Sequence, residues 1–167
     1  MSNSRGTEKI ILDHQDLLKK INALKQAGKT VVFSNGCFDL LHVGHIRYLV
    51  GAAAEGDILV AAINSDESIR KLKGPSRPVM PLAERMEIVA AFECVDFVTA
   101  FDGMRCSELL LLLKPDVHAK GTDYTAENVP ERATVLGYGG RIAIVGDPKN
   151  HNSSEFIRRL GSEKKQA

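Results

Sequence analysis

The sequence has only three cysteines, Cys37, Cys94 and Cys106, at spacings that match neither a disulfide framework nor a paired CxxC metal knuckle. A stapled secreted scaffold and a zinc-knuckle module are therefore not expected. No apolar run approaches the length of about twenty residues that crosses a bilayer. A basic-then-apolar leader is also missing, so the expected location is the cytoplasm, with no membrane partner. Net charge is nearly absent as well, since 22 Lys and Arg against 21 Asp and Glu leave +1. That balance argues against nucleic acid as a partner, and any anionic ligand must be held by local geometry. The first glycine-containing loop lacks Gly-x-Gly-x-x-Gly, which argues against a dinucleotide-binding dehydrogenase.

What is present describes a globular protein. Of the 167 residues, 44% are hydrophobic and 26% charged, which suits one domain of ordinary size. Residues 1–27 read as an N-terminal segment, polar and loose over 1–7, followed by a packing helix over 13–27 with Leu17, Leu18, Ile21, Leu24 and Ala27 on one stripe. Residues 28–160 carry the core domain and 161–167 a polar tail. Strands are expected at 30–34, 57–63, 95–101, 117–120 and 141–145. Helices are expected between them at 43–54, 64–72, 83–92, 105–113 and 131–136, with a closing helix at 153–160. Five strands alternating with helices predict an α/β fold, a Rossmann-like doubly wound parallel sheet. Ligands of such sheets sit beyond the C-terminal strand ends, so the loops opening at Ser34, Asn64, Phe101, Lys120 and Gly146 are the ones to watch.

The loop after the first strand, Asn35-Gly36-Cys37-Phe38-Asp39-Leu40-Leu41, leads into His42-Val43-Gly44-His45. Gly36 can let the chain turn with its amides outward. His42 and His45 share a face at a helix start, where unpaired backbone donors and positive potential favour an anion. Gly44 leaves the backbone open to a phosphate. A metal site from Cys37, Asp39, His42 and His45 is an alternative, because all four types are competent ligands. No second cluster completes it.

Strand, glycine, aspartate, paired histidines and apolar helix together resemble the nucleotidyltransferase superfamily with a His-x-Gly-His motif. Ser34 to His45, Lys71 to Pro78 and Lys120 to Tyr124 most resemble the bacterial heptose 1-phosphate adenylyltransferases, both standalone and as the C-terminal half of a bifunctional kinase/adenylyltransferase. The resemblance implies transfer of AMP from ATP to D-glycero-β-D-manno-heptose 1-phosphate with Mg²⁺, in a homodimer, as a step of lipopolysaccharide precursor synthesis. It implies catalytic roles for His42, His45 and Lys71. ATP would meet Ser34, Asn35, Gly36, Cys37, Phe38, Asp39, Gly44, Lys120, Gly121 and Asp123, the last near the base or ribose hydroxyls or the acceptor sugar, and also Asn152, Ser153 and Ser154 at the start of the closing helix. Lys73, Arg77, Asp102 and Tyr124 would meet the acceptor. Glu155 stands where the family has a third hydroxyl residue, and the arginine that some relatives place before the serines is missing.

Several alternatives stay open at this point. The same cradle would serve a cytidylyltransferase acting on glycerol 3-phosphate, or a module that binds nucleotide without turnover. For single residues, His42 reads equally as a helix-capping or packing residue, Lys71 and Lys73 as a solvated basic tip, Asp39 as structural, Phe38 as core, and 120–124 as a simple turn. The leucine run at 109–113 is either a buried helix or a dimer face.

Overall fold

A computed structural model of the protein describes residues 6–147. Its core is a five-stranded parallel sheet of β1 (Val31–Gly36), β2 (Ile58–Asn64), β3 (Phe97–Phe101), β4 (Val117–Gly121) and β5 (Arg141–Val145), in the order β3-β2-β1-β4-β5. The expected doubly wound α/β class is the one found.

Alternation along the strands builds two cores. On β1, Val32 faces one layer while Val31 and Phe33 face the other; on β2, Leu59, Ala61 and Ile63 oppose Val60 and Ala62 in the same way. The first layer is closed by α2 (Val43–Ala53), through Leu49 and Ala52, and by α4 (Leu82–Ala90), through Met86, Val89 and Ala90. The second is closed by α1 (His14–Gln26), α5 (Ser107–Leu113) and α6 (Arg132–Gly137), through Leu17, Ile21, Leu109, Leu110, Leu113 and Val135. The leucine run is thus mostly core, with Leu111 the exposed member. Asp13 caps α1 by accepting from the amides of Gln15 and Asp16.

Boundaries move in instructive ways. The loose start expected over 1–7 does not hold for its described end: Gly6 is buried, Thr7–Lys9 form a 3₁₀ turn, and the Ile11 amide donates to the Val98 carbonyl at 2.8 Å. The unpaired edge of β3 supplies that partner, which no local pattern reveals. The helix expected from residue 64 is α3 (Asp66–Lys73), because Ser65 caps it through the Ser68 amide and β2 keeps Asn64. The closing helix and the tail lie outside the described residues.

Strand order reverses direction between β1 and β4, and a crevice opens at the C-terminal ends of that pair. The loop after β1 and the loop after β4 face each other across it.

Candidate active site

A cavity of about 720 Å³ occupies this crevice, within the range that holds a nucleotide-sized ligand. Asn35, Gly36, Cys37 and Phe38 from the first loop, His42, Gly44 and His45 from the start of α2, and Lys120, Gly121, Asp123 and Tyr124 from the end of β4 all line it.

The two histidines interact first with the backbone. The Gly44 amide donates to His42 Nδ1 at 3.2 Å, and the His42 amide donates to His45 Nδ1 at 3.3 Å, a reciprocal cap. Two of the helix-start donors expected for phosphate are therefore occupied by the histidines themselves. The cap has a chemical consequence. An Nδ1 that accepts a hydrogen bond carries no proton, so each neutral ring carries it on Nε2, away from the helix. The ring centroids lie 4.0 Å apart, so the two rings work as neighbours on one wall.

Burial lowers the His45 pKa from 6.5 to about 4, and the charges of His42 and Lys73 push the same way against a weaker pull from Asp39. His45 is consequently a neutral donor at physiological pH. An unfolded histidine takes its proton near 6.5, so between that value and about 4 the unfolded chain binds more protons. His45 therefore costs no stability above the upper value, and its contribution lowers stability as pH falls toward the lower one. A ¹⁵N NMR titration should show the His45 ring as the Nε2–H tautomer, titrating near pH 4 rather than near 6.5.

Backbone shape in this loop differs from the expectation. Gly36 has no positive φ; the left-handed positions are Phe38 (φ 47°) and Leu40 (φ 54°). A Cβ at Gly36 would meet the Phe38 ring at 3.1 Å, so a larger residue there requires that ring to give by a few tenths of an ångström. What holds the strained loop is Asp39. It is buried, and it accepts from Arg77 Nε at 2.6 Å, the Val79 amide at 3.0 Å and the Met80 amide at 3.1 Å. Burial alone would raise its carboxyl, but the two amides and the Arg77 guanidinium together hold it below the usual value.

Several expected contacts are placed elsewhere. Arg77 is buried against Asp39 and does not line the cavity, and neither does Asp39. Ser34 is buried in the sheet, its Oγ 3.4 Å from the Val60 carbonyl. Lys71 points outward, 63% exposed and paired with Glu67 at 2.6 Å, whereas Lys73 lines the cavity. Two residues apart on a helix means nearly opposite faces, so only one of the two lysines can look inward. Asp102 is exposed, and Met104 and Arg105 from the same loop line the cavity in its place. Asn152, Ser153 and Ser154 lie outside the described residues.

Lys120 is held from three sides, by Asn35 Oδ1 at 3.3 Å, Glu131 at 3.7 Å and the Tyr124 ring at 4.8 Å. The 121–124 segment is indeed a turn, closed by the Tyr124 amide donating to the Gly121 carbonyl at 3.0 Å, and it lines the cavity at the same time. Thr122 Oγ1 donates to the Asp147 carbonyl at 2.6 Å, and Arg47 pairs with the Asp147 carboxylate, joining the α2 side to the β5 loop.

Arg85 belongs to no motif in the sequence, yet the structure gives it a central place. Fully buried on α4, it donates to the carbonyls of Met80 (3.0 Å), Cys37 (2.6 Å) and Asn64 (2.9 Å) and to Asp66 Oδ1 (2.7 Å). It ties the ends of β1 and β2 to both neighbouring loops. Its only sequence signal is a charge at a core position of the α4 stripe.

Residues 33–159 match the family model described as cytidylyltransferase-like. The chain belongs to the cytidylyltransferase-like family. Two proteins named "Bifunctional protein HldE" are similar to it: that of Syntrophotalea carbinolica is 48% identical over 81% of this chain and 28% of its own length, and that of Alcanivorax borkumensis 41% identical over 93% and 33%. The chain thus spans about a third or less of these relatives. Among solved structures, a lipopolysaccharide core biosynthesis protein from Thermoplasma volcanium shares the fold at TM-score 0.64 and 24% identity, over 73% of this chain and all of its own. A pantoate-β-alanine ligase from Francisella tularensis, complexed with β-γ ATP and β-alanine, shares it at TM-score 0.61 and 16% identity, over 87% and 68%. The family assignment agrees with the fold and with the nucleotidyltransferase type expected from the paired histidines. Among the described residues, no helix is long and apolar enough to cross a membrane.

Proposed function

We propose that the protein is an adenylyltransferase that joins AMP from ATP to D-glycero-β-D-manno-heptose 1-phosphate, releasing pyrophosphate. The observation that carries the transfer chemistry is the pair of Nε2–H donors that the reciprocal cap of His42 and His45 fixes on the cavity wall. The heptose acceptor is supported by the likeness to the HldE proteins and by the quoted family motifs.

In the reaction, a phosphate oxygen of the sugar 1-phosphate attacks the α-phosphorus of ATP. A P–O bond forms there, and the bond to the β-phosphate oxygen breaks. Such a transfer needs positioning and charge stabilisation rather than a covalent nucleophile. His45 and His42 donate to the oxygens on which charge grows, and Lys73 and Lys120 supply fixed positive charge to the phosphates. Cys37 offers its backbone, not a nucleophile. Asp39 and Arg77 act at one remove, by holding the loop. The Asp123 carboxylate on the cavity wall is a group that would hold magnesium, which would supply positive charge against the leaving pyrophosphate. A cytoplasmic homodimer completes the proposal.

Lys73→Ala is expected to raise KM for ATP about tenfold, the scale of one lost charge-assisted hydrogen bond. Lys71→Ala should stay within about twofold, because an exposed ion pair contributes little. Pyrophosphate release measured with ATP or CTP, each paired with heptose 1-phosphate or glycerol 3-phosphate, tests the substrate assignment. Turnover is expected with ATP and the heptose phosphate; exclusive use of CTP would overturn it.

A further inference from the structure

We propose that Cys106, His118 and Glu131 bind one divalent transition-metal ion, zinc by the character of the ligand set, in the wall between α5, β4 and α6. These residues are far apart in sequence: Cys106 precedes α5, His118 lies on β4 and Glu131 precedes α6. The fold nevertheless brings one ligand atom of each within 4.8 Å of the others, with exposures of 1%, 0% and 3%.

A second observation points to a missing ligand. His118 Nδ1 and Glu131 Oε2 are both buried without a hydrogen-bond partner among the described residues. Buried polar atoms are normally satisfied, so two such atoms facing one cluster call for an explanation, of which a shared ion is one. The Lys120–Glu131 contact at 3.7 Å is too long for a hydrogen bond, and it accounts for neither the His118 lone pair nor the thiol beside it.

The donor set is specific. A thiolate, an imidazole and a carboxylate suit zinc, with a fourth position left for water. Two anionic ligands cancel the charge of a divalent ion, so the occupied cluster is neutral although Lys120 stands next to it. Lys120 has other seats, on Asn35 Oδ1 and the Tyr124 ring. Asn35 Oδ1 also lies 3.1 Å from His118 Nε2 and sets the plane of the ring, the kind of outer contact that metal-bound histidines use. Side-chain rotations that bring the ligand atoms to roughly 3.5 Å separations complete a tetrahedral shell. The Cys106 proton leaves to solvent as the metal–sulfur bond forms. Glu131 lines the nucleotide cavity, so the ion would fix the wall that carries Lys120 without touching the His42–His45 side.

The test is independent of the substrate assignment. The full-length protein is stripped with a chelator, reloaded with Zn²⁺ or with Co²⁺ as a spectroscopic substitute, and passed through gel filtration. One zinc per chain is expected to remain, and the cobalt form should show a thiolate-to-cobalt charge-transfer band. Cys106→Ser should abolish the band, Glu131→Gln should weaken metal affinity at least about tenfold, and Cys94→Ala should change neither. Glu131→Gln is nearly isosteric and serves if Cys106→Ser does not fold. The proposal is overturned if the wild type retains no metal, if Cys106→Ser keeps the band, if Glu131→Gln binds as tightly as wild type, or if Cys94→Ala removes the band.

Discussion

Replacing His45 by alanine lowers kcat for adenylyl transfer by about 10²–10³-fold, the usual effect of removing one fixed donor from developing charge. The loss should fall on kcat, with KM for ATP much less affected, because the Nε2–H is argued to act on charge that appears during transfer. Part of any change in folding stability has a separate cause: the substitution also removes the Nδ1 that accepts the His42 amide, and a lost helix cap costs about 1 kcal/mol. His45→Asn retains an amide donor at shorter reach and should fall between wild type and alanine. Pyrophosphate release at saturating ATP reads the first effect and urea denaturation the second. An unchanged kcat with an unchanged fold would remove His45 from the mechanism.

The second large effect is on stability. Arg85→Met conserves much of the volume but leaves three carbonyls, those of Met80, Cys37 and Asn64, without their donor and separates Asp66 from its cation. Removing one member of a buried charged network costs about 3–5 kcal/mol. A fall of that size in the urea-unfolding free energy is expected, together with reduced activity, because the Cys37 carbonyl belongs to the loop that presents the cavity wall. A loss below about 1 kcal/mol, the range of an exposed ion pair, would mean that Arg85 is not the tie described above.

Legibility of the sequence varied with the range of the interaction that decides each residue. The sheet and its order of elements were readable because apolar alternation and caps such as Ser65 are local signals. The His42–His45 face was readable because a three-residue spacing on a helix fixes a shared side. That His42 caps its own helix was among the readings the sequence left open; that His45 reciprocates by accepting the His42 amide was not legible, since it depends on rotamers. Arg77 illustrates the harder case: a rigid cation in a loop suits phosphate, but the partner that claims it, Asp39, lies 38 residues earlier. Lys71 and Lys73 lie on nearly opposite faces of α3, and which face meets the cavity is decided by how that helix packs, which no local pattern around the two lysines reveals. Cys106, His118 and Glu131 left no motif at all, because three separate elements contribute one residue each.

The role of the paired histidines is tested most directly by the structure of the protein with an ATP analogue that cannot be cleaved between its α- and β-phosphates. The triphosphate is expected in the crevice between β1 and β4, with the Nε2 atoms of His42 and His45 within about 3 Å of phosphate oxygens and Lys73, not Lys71, facing them. A triphosphate bound away from both imidazoles, or one contacted by Lys71 with Lys73 turned to solvent, would contradict it.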